Sequence, residues 1–338
     1  MAWEKLGTAS VGGSVPNTSW KELGRTTLGS SGSSIDVTSL SGKQNLMILA
    51  DVRDMDNIHL TFNNDTGNNY AYSESINGGA NATGTSQAKI ELEAQAQQKQ
   101  FSVSNVLNIA AKEKLLIGHT VSNNNGGASN ATARAEVVGK WANTSAQITS
   151  VKLSRTGSND FTSGSEVVVL GMDSDEADSG TNFWQELASV ELSSTANEIN
   201  SGTFTAKKYL WIELLAIADG TISGSDLQFN GDTGSSYSRR YSNGGAADDT
   251  GTSETTLGGG TGGNQGYNYW YILNAADKEK TALGQAMWGS DGAGNAPSRR
   301  ELSGKWANTS NQITSIKVKE NGSGGWASGT ILKVWGAD

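Results

Sequence analysis

Two turn-forming segments contain the residue types that could bind a metal ion. Residues 60–73 are LTFNNDTGNNYAYS and residues 227–240 are LQFNGDTGSSYSRR, so each places one aspartate, Asp65 or Asp232, among Asn and Thr side chains. Such oxygen atoms are the ligands that Ca²⁺ prefers, but a calcium site usually gathers several carboxylates. Asn, Asp and Gly are also the residues that tight turns favour. We therefore expect hairpin turns here, with Ca²⁺ binding at the two aspartates as the alternative and no other cofactor.

The sequence shows none of the common catalytic residue patterns. The chain has two histidines, His59 and His119, and no Cys. It contains no nucleophile elbow, phosphate-binding loop, zinc-ligand spacing or catalytic triad pattern. We identify no cluster of titratable residues that occurs in both halves. We therefore predict no catalytic centre and a protein that is not an enzyme.

The elements that position these two turns can be predicted from an internal repeat in the sequence. Residues 139–153, GKWANTSAQITSVKL, match residues 304–318, GKWANTSNQITSIKV, at an offset of 165. Two further pairs of segments occur in the same order in each half. They are AAKEK with AADKEK before this match, and the ends SGSEVVVLGMD with SGTILKVWGAD after it. A unit of this length can be a domain by itself. We predict that the whole unit is duplicated.

Within each unit, short alternating segments are separated by Gly, Ser and Asn clusters, a pattern typical of β-sandwiches. The predicted fold class is all-β, with two tandem duplicated, jelly-roll-like β-sandwich domains. Their predicted ranges are 17–173 and 183–338, and the acidic stretch 174–182 is the linker. Residues 1–16 form an N-terminal arm.

The arm resembles the first strand of each unit. Trp3, Leu6 and Val11 repeat the apolar spacing of residues 20–28 and 184–192, so three copies of a first strand accompany two domains. One interpretation is a remnant of the duplication. The other is an inter-subunit strand that pairs with the sheet edge of a neighbour.

The aromatic residues are unevenly distributed. Of 18 Trp and Tyr residues, 13 follow residue 173. Trp270 and Trp288 stand where the first unit has Ser, on the strand face that we expect to point outward. Together with Trp326 they are candidates for a subunit interface or for stacking on a sugar ring, with additional core packing as the alternative.

Composition limits the partners. Hydrophobic residues make up 35% of the 338 residues, 43 are Gly, and the net charge is −9. Nucleic-acid binding is not expected, because neutralising phosphates needs clustered Lys and Arg. No stretch is long and apolar enough for membrane insertion, and the first residues lack the pattern of a signal peptide. We expect synthesis in a cytoplasm.

These motifs resemble a known module. The pattern LxFNxDTGxxY, the later W-x-NTS-xx-ITS and the terminal SGT-apolar-x-V-W-G are similar to a β-sandwich module of virion structural proteins in tailed phages and archaeal viruses. The similarity extends over 60–173 and 227–338. It implies a capsid, virion-surface or decoration protein, located in the virion, that binds copies of itself and other virion proteins. A glycan-binding attachment module, with host surface glycans as partners, is the alternative.

Overall fold

A computed structural model describes residues 20–53, 57–92, 94, 99–173, 182–220, 224–260, 262–322 and 324–338. Within these ranges every regular element is a β-strand, which confirms the predicted all-β fold class. The described residues include no helix that is long and apolar enough to cross a membrane. The predicted inter-subunit strand with Trp3, Leu6 and Val11 lies outside the described residues, as do residues 174–181 of the predicted linker.

The strands of the first half are β1 (Lys21–Thr27), β2 (Ser34–Val37), β3 (Asn45–Val52), β4 (Asn57–Phe62), β5 (Tyr70–Ile76), β6 (Ala82–Gln87), β7 (Ile90–Glu91), β8 (Gln100–Leu107), β9 (Lys114–Ser122), β10 (Ala133–Trp141), β11 (Val151–Thr156) and β12 (Glu166–Met172). Those of the second half are β13 (Gln185–Glu191), β14 (Glu198–Thr203), β15 (Tyr209–Asp219), β16 (Ser225–Phe229), β17 (Tyr237–Asn243), β18 (Asp249–Glu254), β19 (Leu257–Gly258), β20 (Gln265–Leu273), β21 (Lys280–Gly289), β22 (Ser298–Trp306), β23 (Ser315–Glu320), β24 (Gly325–Trp326) and β25 (Ile331–Ala337).

Each half has one large and one small antiparallel sheet. The large sheets have the strand orders β1-β12-β3-β8-β9-β10-β5-β6 and β13-β25-β15-β20-β21-β22-β17-β18. The small sheets have the orders β2-β11-β4-β7 and β14-β23-β16-β19, and β24 pairs with β15. The two orders agree strand for strand, as expected for two domains of one topology. The duplication and the domain boundaries themselves stay predictions.

Each large sheet has buried residues on both of its faces. Side chains alternate between the faces of a strand, so Leu46 and Ile48 of β3 point into the core between the large and small sheets of the first half. Met47 and Leu49 point to the opposite face and belong to a separate apolar cluster shared with the second half. The four sheets therefore form four layers, with the two large sheets in the middle.

The repeated hairpin motif holds an aromatic cluster at the edge of each sandwich core. The Tyr70 hydroxyl accepts a hydrogen bond from the backbone N–H of Phe62 at 2.9 Å, and the rings of Phe62 and Trp141 lie 5.9 Å apart. The Trp141 indole N–H donates to a carboxylate oxygen of Asp65 at 2.7 Å. In the second half the equivalent indole of Trp306 donates to Asp232, also at 2.7 Å. The motif is thus explained by packing and turn formation.

We predict that Asp65→Ala lowers the free energy of unfolding by about 1–3 kcal/mol, because the buried Trp141 N–H is left without an acceptor. Asp291→Ala, an exposed aspartate in the β21–β22 loop, is the control and should change stability by no more than about 0.5 kcal/mol. Urea denaturation followed by Trp fluorescence measures both. Equal effects of the two substitutions would show that the hydrogen bond contributes little.

Candidate assembly interface

The two candidate calcium ligands hold their own turns. One oxygen of Asp65 accepts a hydrogen bond from the backbone N–H of Gly67 at 2.8 Å, and Asp232 does the same with Gly234. Burial alone raises the pKa of both aspartates, but the indole and turn hydrogen bonds outweigh it and lower the pKa below its ordinary value. A calcium ion at either site would have to displace these donors. Among the described residues, no group of three or more His, Asp or Glu is placed to hold a metal ion.

Two of the three candidate surface tryptophans are core residues. Trp270 is 1% exposed and Trp326 is fully buried, and both pack between the large and small sheets of the second half. The predicted outward position of Trp270 was therefore wrong, and additional core packing, the alternative, describes both residues. Trp288 is half-buried, and the guanidinium of Arg300 lies 5.7 Å from its ring.

The physical reason is that β20 is buried on both faces. Tyr267 and Tyr269 share one face of β20, and Trp270, which we expected to point outward, lies on the other face. In the structure, the tyrosine face turns toward the first half and the tryptophan face forms the sandwich core. Ser104, at the position equivalent to Trp270, is also buried, so a serine there did not mark an exposed face.

The large sheets of the two halves pack against each other through their outer faces. Phe101 of β8 and Tyr209 of β15 lie at the centre, with ring centroids 6.2 Å apart. The same apolar cluster contains Met47, Leu49, Val103, Val121, Val168, Leu170, Phe183, Trp184, Leu273, Ala275, Leu283, Trp335 and Ala337. Removal of apolar surface from water is the main favourable term when proteins associate. This sheet-to-sheet interface is the candidate functional site.

Buried carboxylates of the first half meet lysines of the second half in this interface. Asp51 is fully buried and forms an ion pair with Lys278. Glu166 accepts hydrogen bonds from Lys208 at 2.8 Å and from the Tyr209 hydroxyl at 2.7 Å. Burial alone raises the pKa of Glu166, but its hydrogen bonds and the charge of Lys208 lower that pKa to about 2. Paired charges fix the relative position of the sheets, since a buried charge without its partner is strongly destabilising.

The loop between β9 and β10, residues 123–132, extends the interface. Lys305 is fully buried and donates hydrogen bonds to the backbone carbonyl oxygens of Asn123 at 2.7 Å and Asn125 at 2.6 Å. Glu279 accepts a hydrogen bond from a backbone N–H of the same loop at 2.5 Å. The loop of the first half is therefore held by a lysine and a carboxylate of the second half.

A cleft of about 370 Å³ lies beside the packed part of the interface. The side chains of His119 and Gln285, at equivalent positions of the repeat, meet there with their Nε2 atoms 3.1 Å apart. Burial lowers the pKa of His119. Burial and the negative charge of Glu136 raise the pKa of Glu301, which also lines the cleft. His59, the other histidine, lies elsewhere and is 2.7 Å from Glu91 on the neighbouring strand.

One charged pair in this cleft was missed in the sequence. Arg134 and Glu136 of ARAEVVGKW recur as Arg299 and Glu301 of SRRELSGKW, so a titratable pair does occur in both repeats. The signal was an Arg-x-Glu spacing that ends two residues before the shared GKW. Arg134 is nearly fully buried and donates to both oxygens of Asp248 in the other half, at 2.9 and 2.6 Å. This arrangement joins the halves by charge.

No protein-family model and no curated protein matches the chain. Among solved structures, the chain is similar to domains LG4-5 of the mouse laminin alpha1 chain, with 11% identity, 97% of this chain and 93% of that chain covered, and a TM-score of 0.21. It is also similar to Ail, the attachment invasion locus protein of Yersinia pestis, with 6% identity, 78% and 98% coverage, and a TM-score of 0.14. At these TM-scores the similarities carry no argument about fold or function.

We predict that Lys278→Met lowers the free energy of unfolding by on the order of 3 kcal/mol, because the buried carboxylate of Asp51 loses its closest partner. Lys112→Met is the matched control, because Lys112 is the equivalent lysine of the first repeat and is exposed. Urea denaturation of both variants tests this. The ion pair is not a determinant of the interface if both variants unfold at the midpoint of the wild type.

Stability should fall at acid pH through Glu166. Its folded pKa of about 2 is below the ordinary value of 4.5, so the stabilisation is complete above about pH 4.5 and is lost as the pH falls toward 2. This difference between the folded and ordinary pKa of Glu166 corresponds to a contribution of up to about 3 kcal/mol to the free energy of unfolding. Glu166→Gln should flatten the dependence of the unfolding free energy on pH in this range, whereas Glu191→Gln, at an exposed position, should leave it unchanged. Identical pH profiles of wild type and Glu166→Gln would contradict this assignment.

Proposed function

We propose that the protein is a non-enzymatic structural component of a virus particle, a capsid, virion-surface or decoration protein that assembles through its β-sandwich domains. The sheet-to-sheet interface carries the proposal. Two sandwiches with one strand order bind each other through the outer faces of their large sheets, with apolar contacts and paired charges. A sandwich whose sheet has a second binding face beyond its own core is suited to building larger structures.

The motif that resembles virion proteins supports the proposal through its structural role. Phe62, Asp65, Tyr70 and Trp141 form the aromatic and turn cluster of the first half, and each has an equivalent in the second half. Among the charged residues of the cleft, Arg134 forms an ion pair with Asp248 of the other half. Glu136 pairs with Arg134, and Glu301 pairs with Arg299, each within its own half. In this proposal the protein is made in the host cytoplasm and binds copies of itself and other virion proteins.

The test is the protein content of purified particles from the native source. We expect quantitative mass spectrometry to find peptides of both halves in density-purified virus particles, in many copies per genome. Antibodies against the chain should label those particles in electron micrographs. The proposal fails if the peptides are abundant in the infected cells and absent from the particles.

A second candidate function is glycan binding for attachment, and one polar cleft favours it. A cleft of about 390 Å³ in the second half is lined by side chains that include Asp226, Gln228, Arg239, Tyr241 and Arg300. Its carboxylate, amide and guanidinium groups are donors and acceptors that match sugar hydroxyls. The guanidinium of Arg300 lies over the ring of Tyr241, 4.4 Å from its centre.

Binding to a glycan array tests this candidate. Saturable binding by the wild type should fall at least about tenfold in Asp226→Ala, because one charged acceptor is worth about 1.4 kcal/mol or more. Asp291→Ala, at an exposed loop position outside this cleft, should bind like the wild type. Absence of saturable binding, or equal binding by the two variants, would exclude the cleft as the glycan site.

A further inference from the structure

We propose that the exposed outer face of the first half binds the second half of another copy of this chain. The contact would use the same kind of sheet-to-sheet packing that joins the two halves within the chain. This inference rests on the proposed function, because it names the partner and the surfaces of self-assembly. It follows from which positions of the repeat are buried in one half and exposed in the other.

The first-half exposed end is defined by four apolar residues. They are Leu107, Leu115, Ile117 and Val138, and their exposed fractions are 39%, 51%, 58% and 53%. They are adjacent on the outer face of the large sheet, where Leu107 pairs with Leu115 and Ile117 pairs with Val138. Contiguous apolar residues at a surface mark interaction sites.

The same positions of the second half lie inside the interface. The equivalent residues are Leu273, Thr281, Leu283 and Ser303, which occupy the same pairs of β20–β21 and β21–β22. Each of these four is at most 6% exposed. The second half thus has this end of its sheet covered by the first half. The first half has the corresponding end uncovered.

The second-half exposed end shows the converse relation. It is defined by Leu215 and Met287, which are 40% and 51% exposed. The corresponding positions of the first half are Asp51 and Val121, and both are fully buried against the second half. Each half therefore uses one end of its large sheet inside the chain and leaves the other end exposed.

The charges of the two exposed ends have changed in a complementary way. Inside the chain, Glu166 of the first half meets Lys208 of the second half. At the exposed ends the equivalent positions hold Ile331 in place of Glu166 and Gln44 in place of Lys208, with Leu215 in place of Asp51. Three of the four positions have thus lost their charge, whereas Lys112 is retained at the position of Lys278. Packing the exposed ends together would bury neither carboxylate. The contact would depend more on apolar area than the contact inside the chain.

The lysine and glutamate pair that supports the existing interface has an equivalent at the first-half exposed end. Lys140 and Glu113 are 3.0 Å apart, as an equivalent of the pair Lys305 and Glu279 at 3.8 Å. Lys305 donates to backbone carbonyls of the β9–β10 loop. We infer that Lys140 donates in the same way to the β21–β22 loop of the second copy, residues 290–297, which is exposed.

A second copy fits better than an unrelated partner for two reasons. Both exposed ends continue directly from the interface already present within the chain, and each has the apolar character that the other needs. The two ends differ from each other, so the contact is heterologous. Such a contact leaves one free end of each kind until a ring closes.

Two charge-introducing variants and one control test the proposal in the full-length chain. Ile117→Glu disrupts the first-half exposed end and Met287→Glu the second-half exposed end. Ile76→Glu is the control, because Ile76 is 41% exposed on β5 and belongs to neither end. In sedimentation velocity, we expect each of the first two to weaken self-association at least about 100-fold, since a carboxylate would have to lose water in an apolar contact. The control should stay within about threefold of the wild type.

Mixing the two disruptive variants gives the decisive outcome. Ile117→Glu retains an intact second-half end and Met287→Glu an intact first-half end, so an equimolar mixture should form a heterodimer although neither variant associates alone. Circular dichroism and melting temperatures confirm that all variants are folded. The proposal is overturned if only Ile117→Glu blocks association, because the first-half end would then bind itself. It is also overturned if both variants associate like the wild type.

The test of self-association and the test for presence in virus particles can fail independently. A wild-type chain that stays monomeric up to millimolar concentration overturns this inference. If its peptides are still present in purified particles, the structural role stands and another virion protein covers the exposed ends. If the chain self-associates through these ends but is absent from particles, the assembly interface stands and the virion role fails.

Discussion

Burial of Asp51 with Lys278, and of Glu166 with Lys208 and Tyr209, determines how the two large sheets meet. Neither carboxylate can stay in an apolar interface without its partner. The first half supplies the carboxylates at one end of its sheet, and the second half supplies the lysines near the opposite end of its own. The contact is therefore specific for one end of each sheet, although the halves have the same strand order.

Because the interface is end-specific, each large sheet has positions of three kinds. One face forms the core with the small sheet, as Ile48 and Ile212 do. On the other face, one end is packed against the other half and the opposite end is exposed. The exposed end of each sheet is equivalent to the end that the other half packs inside the chain. Its apolar residues therefore stand at positions that form a sheet-to-sheet contact in the other half. Self-association through the exposed ends would use the same type of sheet surface that joins the two halves within the chain.

The sequence was sufficient for the local structure and insufficient for the contacts between halves. Alternating residues and Asn/Asp/Gly clusters predicted the all-β class, and the turns at Asp65 and Asp232 follow from the same signals. Periodicity shows which residues share a strand face but not what covers that face, so Trp270 was assigned to a surface when it lies in a core. The pair of Asp51 and Lys278 is separated by 227 positions and has no local signal. The Arg-x-Glu repeat was visible, but its meaning depends on the packing of the two halves.

The central claim is that one kind of sheet-to-sheet contact acts both within the chain and between copies. Side-chain footprinting with hydroxyl radicals, read by mass spectrometry at low and high protein concentration, tests it most directly. Labelling of Leu115, Ile117 and Met287 should fall as the chain assembles, whereas Ile76 should keep its labelling and Leu283 should be protected throughout. Unchanged labelling of Ile117 and Met287 in the assembled protein would contradict a contact through these ends.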